Sequence, residues 1–398
     1  MRKTALILSL LSLFSCSENI KIQRLRVEEG KKFERLNFTK VGEITLWSGW
    51  CLALPQGLIC SELLDRSWRE SQLKLYDYSG KLKKERKLTH GDGPDEIRVW
   101  NFPTIWVSSS GKVFSQDNNY LKILDPDTLE IETIAKFSNV IEGYGYKYTF
   151  GLHGFTSLEE KDNHIVTSFE STGFYEDMTY YIVTYEGVFK NLSVIAVTKK
   201  EKPWTRSMSY RKKREFYIDN YGPFRLDRIL SVDWERSVVY YIPDIEKPEI
   251  ESVDLESKRK KKYLIDINFK KFKVEREEFE SFYEHFLSEE DPILKNYYKF
   301  ILYIPPHAPA LMGIKVIKDW LLIITGNRNW EKGENEVQVY KLPLLKYEGS
   351  FFIPFPNLFH FSTKWYDNYY IIRRHIDKEG DYYSLYEIYT VEKLKKTD

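Results

Sequence analysis

The 398-residue chain is poor in several things at once. It has only 4 Met and 20 Gly, and 3 Cys, at positions 16, 51 and 60. Neither sign of charge is in excess: 60 Lys and Arg face 59 Asp and Glu, for a net charge of +1. No overall field therefore draws nucleic acid or an anionic surface, and nucleic acid is excluded as a partner. The apolar run at the start, Ala5 to Phe14, is half of the roughly twenty residues a membrane-spanning helix needs. There is no H-E-x-x-H, no G-x-S-x-G and no P-loop, so the zincin, serine-hydrolase and NTPase signatures are missing. Cys51 and Cys60 lack the second pair that a zinc site requires. What the chain does have is aromatic bulk, with 29 Tyr, 24 Phe and 10 Trp making up 16% of it. Such a composition favours many short strands with rings packed between sheets. A single all-β unit is compatible with this length.

The first sixteen residues read as an address. Arg2 and Lys3 form a positive start, the short apolar run follows, and Leu13-Phe14-Ser15-Cys16 resembles the bacterial lipobox. The resemblance implies a signal peptide over 1–15 and a lipid on Cys16, with residues 16–32 as a polar tether. The competing reading is an ordinary secretory signal in which Cys16 is incidental. Ser17, where an Asp would favour inner-membrane retention, implies the outer membrane, facing either the periplasm or the surface.

Residues 33–398 read as a β-propeller with six four-stranded blades, five or seven being the other counts. Blade one is two hairpins, 46–62 turning at Pro55-Gln56-Gly57 and 72–86 turning at Tyr78-Ser79-Gly80. Blade two holds strands near 104–108, 112–116, 121–125 and 131–137. Blade three spans 152–198, blade four 229–267 and blade five 313–353, whereas blade six offers only three strands over 361–391. Its fourth strand is expected from Ile20 to Val27 or Phe33 to Val41, closing the ring. Between 274 and 301 the period becomes helical, with Phe279, Phe282 and Phe286, then Ile293, Leu294, Tyr297, Tyr298 and Ile301. A helical insert is expected there. The basic runs Arg211 to Arg214 and Lys258 to Lys262 read as solvated turns, because acidic residues flank both.

Within blade two, Gly91-Asp92-Gly93-Pro94-Asp95-Glu96, Phe102-Pro103, Gly111 and Asp117 to Ile123 resemble the NHL-repeat pattern and the related TolB-like propeller lipoproteins of Bacteroides-type bacteria. In that family the G-x-G-P-x-E loop carries the chain between blades. No cation accompanies its glycines, so the loop reads as architecture rather than a phosphate cradle.

If Leu54 and Gly57 flank a two-residue turn, Cys51 and Cys60 fall opposite each other at disulfide distance; two buried free thiols are the alternative. Propeller ligands sit at a channel mouth lined by residues just before the innermost strands. That rule selects Asn101, His153, Arg225, His307 and His360. His153, His307 and His360 are the residues a channel zinc or calcium would use, as in some NHL-type lyases, although lone histidines near turns are ordinarily surface residues and no cofactor is expected. Two functions follow: a monomeric, membrane-anchored module binding a protein, peptide or glycan, or a channel-mouth lyase or hydrolase acting on glycans or small esters.

Overall fold

The structure is a computed structural model that describes residues 21–33, 36–47, 49–64, 71–88, 104–107, 111–116, 120–136, 155–162, 164–171, 178–186, 190–200, 230–244, 247–266, 310–329, 332, 334–354, 363–366, 369–378 and 381–393. These residues form strands only. Two strands precede the blades, β1 (Lys21–Arg26) and β2 (Leu36–Trp47). Blade one is β3 (Gly49–Leu54), β4 (Gly57–Leu63), β5 (Ser71–Tyr76) and β6 (Leu82–Leu88). Blade two is β7 (Thr104–Val107), β8 (Val113–Gln116), β9 (Tyr120–Leu124) and β10 (Ile131–Lys136). Blade three is β11 (Phe155–Lys161), β12 (His164–Ser171), β13 (Met178–Glu186) and β14 (Lys190–Lys200), and blade four is β15 (Leu230–Asp233), β16 (Val238–Tyr241), β17 (Glu249–Asp254) and β18 (Lys260–Asp266). Blade five is β19 (Leu311–Ile317), β20 (Trp320–Asn329), β21 (Glu334–Lys341) and β22 (Lys346–Pro354). Blade six is β23 (Thr363–Tyr366), β24 (Tyr369–Lys378) and β25 (Asp381–Lys393).

Within each blade the strands are antiparallel neighbours in chain order. The first strand of each blade is innermost, and β23, β3, β7, β11, β15 and β19 touch one another in that succession. The result is a ring of six blades. Two ends can be told apart: the inner strands start at the upper end, and the hairpins joining first to second and third to fourth strands lie at the lower end.

The core lies between blades because each sheet has an apolar side chain on alternate residues of both faces. In blade one, Leu52, Leu54, Ile59, Leu73 and Leu75 face blade two, where they meet Val107, Val113, Leu124, Leu129 and Ile131. The residues between them, Cys51, Ala53, Leu58, Cys60 and Tyr76, face blade six and meet Ile371, Tyr386 and Ile388. Each buried aliphatic side chain contributes about 1.5–3 kcal/mol, so these seams are the main adhesive of the ring.

The fourth strand of blade six is β2, antiparallel to β25 from Leu36↔Lys393 to Trp47↔Tyr383. Of the two expected sources for it, the one at Phe33 to Val41 is used, and it runs on to Trp47. The other, Ile20 to Val27, forms β1, which adds a fifth strand to blade four, parallel to β18. A strand therefore stands where composition suggests a tether. In KIQRLR Leu25 is buried, while Ile22, Gln23, Arg24 and Arg26 are exposed.

Residues 21–47 thus strap the outside of three blades before blade one begins. Leu25 joins the blade four and five core beside Ile265 and Tyr347. Lys31 and Phe33 exchange backbone hydrogen bonds with Ser350 of blade five. The close approach requires Gly349, at φ +135°, because a Cβ there would lie 2.8 Å from the Lys32 carbonyl carbon. Phe33 packs edge-on against Trp320, and Phe38 lies between Phe351 of blade five and Tyr370 of blade six.

Three lower hairpins share one device. Asp77, Asp125 and Asp254 each end the third strand of their blade and accept turn amides: Ser79 and Lys81, Asp127 and Thr128, Glu256 and Ser257. Three or four residues on, Gly80, Leu129 and Lys258 take positive φ. Hydrogen bonds from Ser79, from the Thr128 amide and from the Ser257 amide hold the three carboxyls below the usual carboxylate range.

Leu54 and Gly57 do flank a two-residue turn, Cys51 pairs with Cys60, and the structure joins the two in a disulfide with Cα atoms 4.0 Å apart. The helical insert expected at 274–301 and the loop at 91–96 lie outside the described residues. Closing so short a loop stabilises a fold by about 2–3 kcal/mol in the chain-entropy account. Replacing both cysteines by alanine is expected to lower unfolding stability by about that amount, measured by urea titration. Alkylation of the wild-type protein without reductant should label neither Cys51 nor Cys60, and labelling of both contradicts the bridge.

Candidate functional site

The wall of the channel is made by the inner strands, and Glu159, Glu160, Lys315 and Asp233 lie toward the lower ends of these strands. In β11, FTSLEEK, the adjacent Glu159 and Glu160 project to opposite faces, as successive strand residues must. Both are buried, and each meets a lysine from another blade. Glu160 accepts from Lys112, which stands just before β8 of blade two, at 2.9 Å. Glu159 pairs at 3.6 Å with Lys315 of β19 in blade five. Blade four lies between those two partners, so the pair passes along the channel side of β15. There Ser231 Oγ accepts from the Val316 amide at 3.0 Å, fastening β15 to β19 beside the pair.

Below them, Arg236 donates to Asp233 of its own hairpin and to Asp319 of blade five, and Lys341 also donates to Asp319. The bonds from Lys341 and Arg236 hold the Asp319 carboxyl below its ordinary range. At the closing seam, Glu62 accepts from the Trp47 amide at the end of β2, from Gln72 and from Lys74.

At the upper end of blade five, β20 departs from regular pairing between Ile324 and Arg328. The irregularity gathers polar groups at the mouth: Asn327 Nδ2 donates to Glu336 at 2.6 Å, Thr325 Oγ1 donates to the same carboxylate, and buried Asn335 donates to the Thr325 carbonyl. Bulges of this kind re-aim side chains at sheet ends. The Ala310 carbonyl accepts from the Gly326 amide, which places this cluster at the start of the inner strand β19.

Of the residues chosen from the sequence, Cys51 and Cys60 are described and serve blade one. Cys16, Asn101, His153, Arg225, His307 and His360 lie outside the described residues. Among the described residues no group of three or more His, Cys, Asp or Glu is placed to hold a metal ion. Sequence reasoning missed the pairs made by Glu159, Glu160, Lys112 and Lys315. The available signal was the Glu-Glu step at the end of a predicted inner strand, where a solvent-facing hairpin strand would alternate.

No protein-family model matches the chain, and no curated protein matches it. Several solved propellers are similar to it. A gluconolactonase from Xanthomonas campestris is 10% identical with a TM-score of 0.40, over 90% of this chain and 87% of that one. The β-propeller domain of the Trilobed protease from Pyrococcus furiosus is 10% identical with a TM-score of 0.35, over 92% and 97%. The Dos1 propeller is 11% identical with a TM-score of 0.33, over 86% and 68%. At these identities and scores the likeness carries no argument about chemistry.

The Glu159 and Lys315 pair is expected to brace the ring. Glu159→Gln and Lys315→Met should each cost about 1–3 kcal/mol, because each removes one member of a largely buried charge pair. The double variant should cost less than the sum, giving a coupling of about 1 kcal/mol in a urea-denaturation cycle. Single variants as stable as the wild type contradict a bracing role.

Proposed function

We propose that the protein is an outer-membrane-anchored propeller of the NHL-repeat or TolB-like type, acting as a monomeric binding or scaffold module for a protein, peptide or glycan partner. In this reading residues 1–15 are removed, Cys16 carries the lipid, and the ring stands in the cell envelope. The observation that carries it is the pairing of the described channel carboxylates. Glu159 and Glu160 are each matched by a lysine from another blade, which suits a wall built to stay rigid. A general acid or base instead needs a proton within reach and a partner that leaves it free to exchange that proton. A rigid ring is a preorganised support, and preorganised surfaces bind with little ordering cost. Asn101, His153, Arg225, His307 and His360, chosen for their place in the sequence before the inner strands, are the proposed contact residues.

Purified full-length protein, added to solubilised native envelope and recovered with its bound material, is expected to retain one stoichiometric protein, peptide or glycan. Substitution of Asn101 and Arg225 by alanine should weaken that retention at least tenfold. Elemental analysis of the same preparation should show no stoichiometric metal. Stoichiometric zinc or calcium, together with cleavage of a glycan or ester, overturns the reading in favour of a lyase or hydrolase.

A further inference from the structure

The near-zero net charge conceals a local imbalance at the outer edge of blade four. There β1 runs parallel to β18, with Lys21 beside Lys261 and Arg26 beside Asp266. Arg24, Arg26, Lys258, Arg259 and Lys261 are exposed and Lys260 is half-buried. The nearby carboxylates are Asp254, occupied with turn amides, Glu251, which accepts from Tyr241, Glu256 and Asp266, with Glu28 and Glu29 beyond Arg26. Lys262 is the basic residue here that is engaged, with Glu249 at 2.7 Å. Ile22, in the middle of this edge, is 59% exposed.

Blade one, diametrically opposite in the ring, also has a basic outer strand, but its cations are held. Lys83 pairs with Asp77, Lys84 donates to the Asp127 carbonyl and Arg86 to the Leu129 carbonyl. The two edges therefore differ in how their charge is used.

They differ also in where the chain enters. Because β1 is parallel to β18, its first residue lies beside Lys261, next to the hairpin that carries Lys258 and Arg259. From Cys16 to Lys21 there are five peptide steps, which reach at most about 17 Å when fully extended. A lipid on Cys16 therefore holds this corner of blade four within about 17 Å of the headgroup region. Surface attraction fades over roughly 8 Å at physiological ionic strength, so cations placed by so short a link fall within or near its range.

We propose that the lower outer corner of blade four, formed by β1, β18 and the hairpin between β17 and β18, docks on the anionic lipid surface in which Cys16 is anchored. This rests on the lipidation reading above. The lipid and the basic corner are two weak attachments that together fix an orientation. The ring then has its lower end toward the bilayer at blade four, and the upper mouth faces away from the lipid and toward a partner.

Two experiments separate the docking from the lipidation. In the first, full-length Cys16→Ser protein is sedimented with phosphatidylcholine vesicles containing one quarter phosphatidylglycerol. Binding is expected to fall at least fivefold in K258Q/R259Q/K261Q and in high salt, and to change less than twofold in the blade one control K81Q/K83Q/K84Q. Equal losses in the two triple variants, or no loss in the first, overturn the docking. In the second, lipidated protein bearing a dye at Ile22→Cys or Glu85→Cys is reconstituted in vesicles with spin-labelled headgroups. Quenching should be several-fold stronger at position 22, and equal quenching overturns the orientation. Mass spectrometry of the N-terminal peptide reads lipidation by itself: an unmodified Cys16 defeats the anchor, while the first experiment still decides the charged surface.

Discussion

An open sheet edge is the constraint on which this structure depends. A strand with one side unpaired leaves a row of N–H and C=O groups available to any other chain, and a ring of blades that fails to close has such an edge at its seam. The seam is closed by main-chain pairing between β2 and β25, from Leu36↔Lys393 to Trp47↔Tyr383. Sequence-distant residues are thereby made neighbours, and the last blade is completed by the segment that leads into the first. Glu62 then ties the end of β2 into blade one through the Trp47 amide, while Tyr78 of blade one stacks on Tyr369 of blade six.

The same N-terminal segment does more than close the ring. Before it reaches blade six it extends blade four through β1 and bridges to Ser350 of blade five. Phe33 and Phe38 fill space against blades five and six that short strands alone leave to aromatic rings. Blades four to six are consequently held from outside by the strap, while inside the ring charge pairs join blade three to blade five through Glu159 and Lys315 and blade four to blade five through Arg236 and Asp319. Closure of the ring and placement of the N-terminal segment on blade four are two consequences of one arrangement.

Much of this was legible in the sequence, and the reasons differ by element. Blades three, four and five were readable because their strands alternate apolar and polar residues and are punctuated by tight turns, as in ENEVQVYK of β21. The pairing of Cys51 with Cys60 followed from a two-residue turn at Pro55-Gln56, because turn length fixes register. β1 was legible as a strand over Ile20 to Val27 but its place was not: it pairs with β18 of blade four rather than completing blade six, and a parallel edge strand that buries Leu25 and keeps its cations in water carries no sign of its partner. The inner-wall pairs were hidden for another reason: Glu159 and Lys315 stand 156 positions apart, and only the ring brings them together. The asymmetry of charge at blade four was masked by summation over a balanced chain. The candidate channel-mouth residues lie outside the described residues, and their roles rest on their place before the inner strands.

The claim that closure by β2 holds the ring together is tested most directly by native-state hydrogen exchange. If β2 is integral, the amides of Leu36–Trp47 and those of β25 exchange together, with protection equal to that of the inter-blade core and equally sensitive to denaturant. Exchange of β2 at low denaturant, while the strands of blades one to five stay protected, would contradict the account and make the strap an ornament on a ring that closes without it.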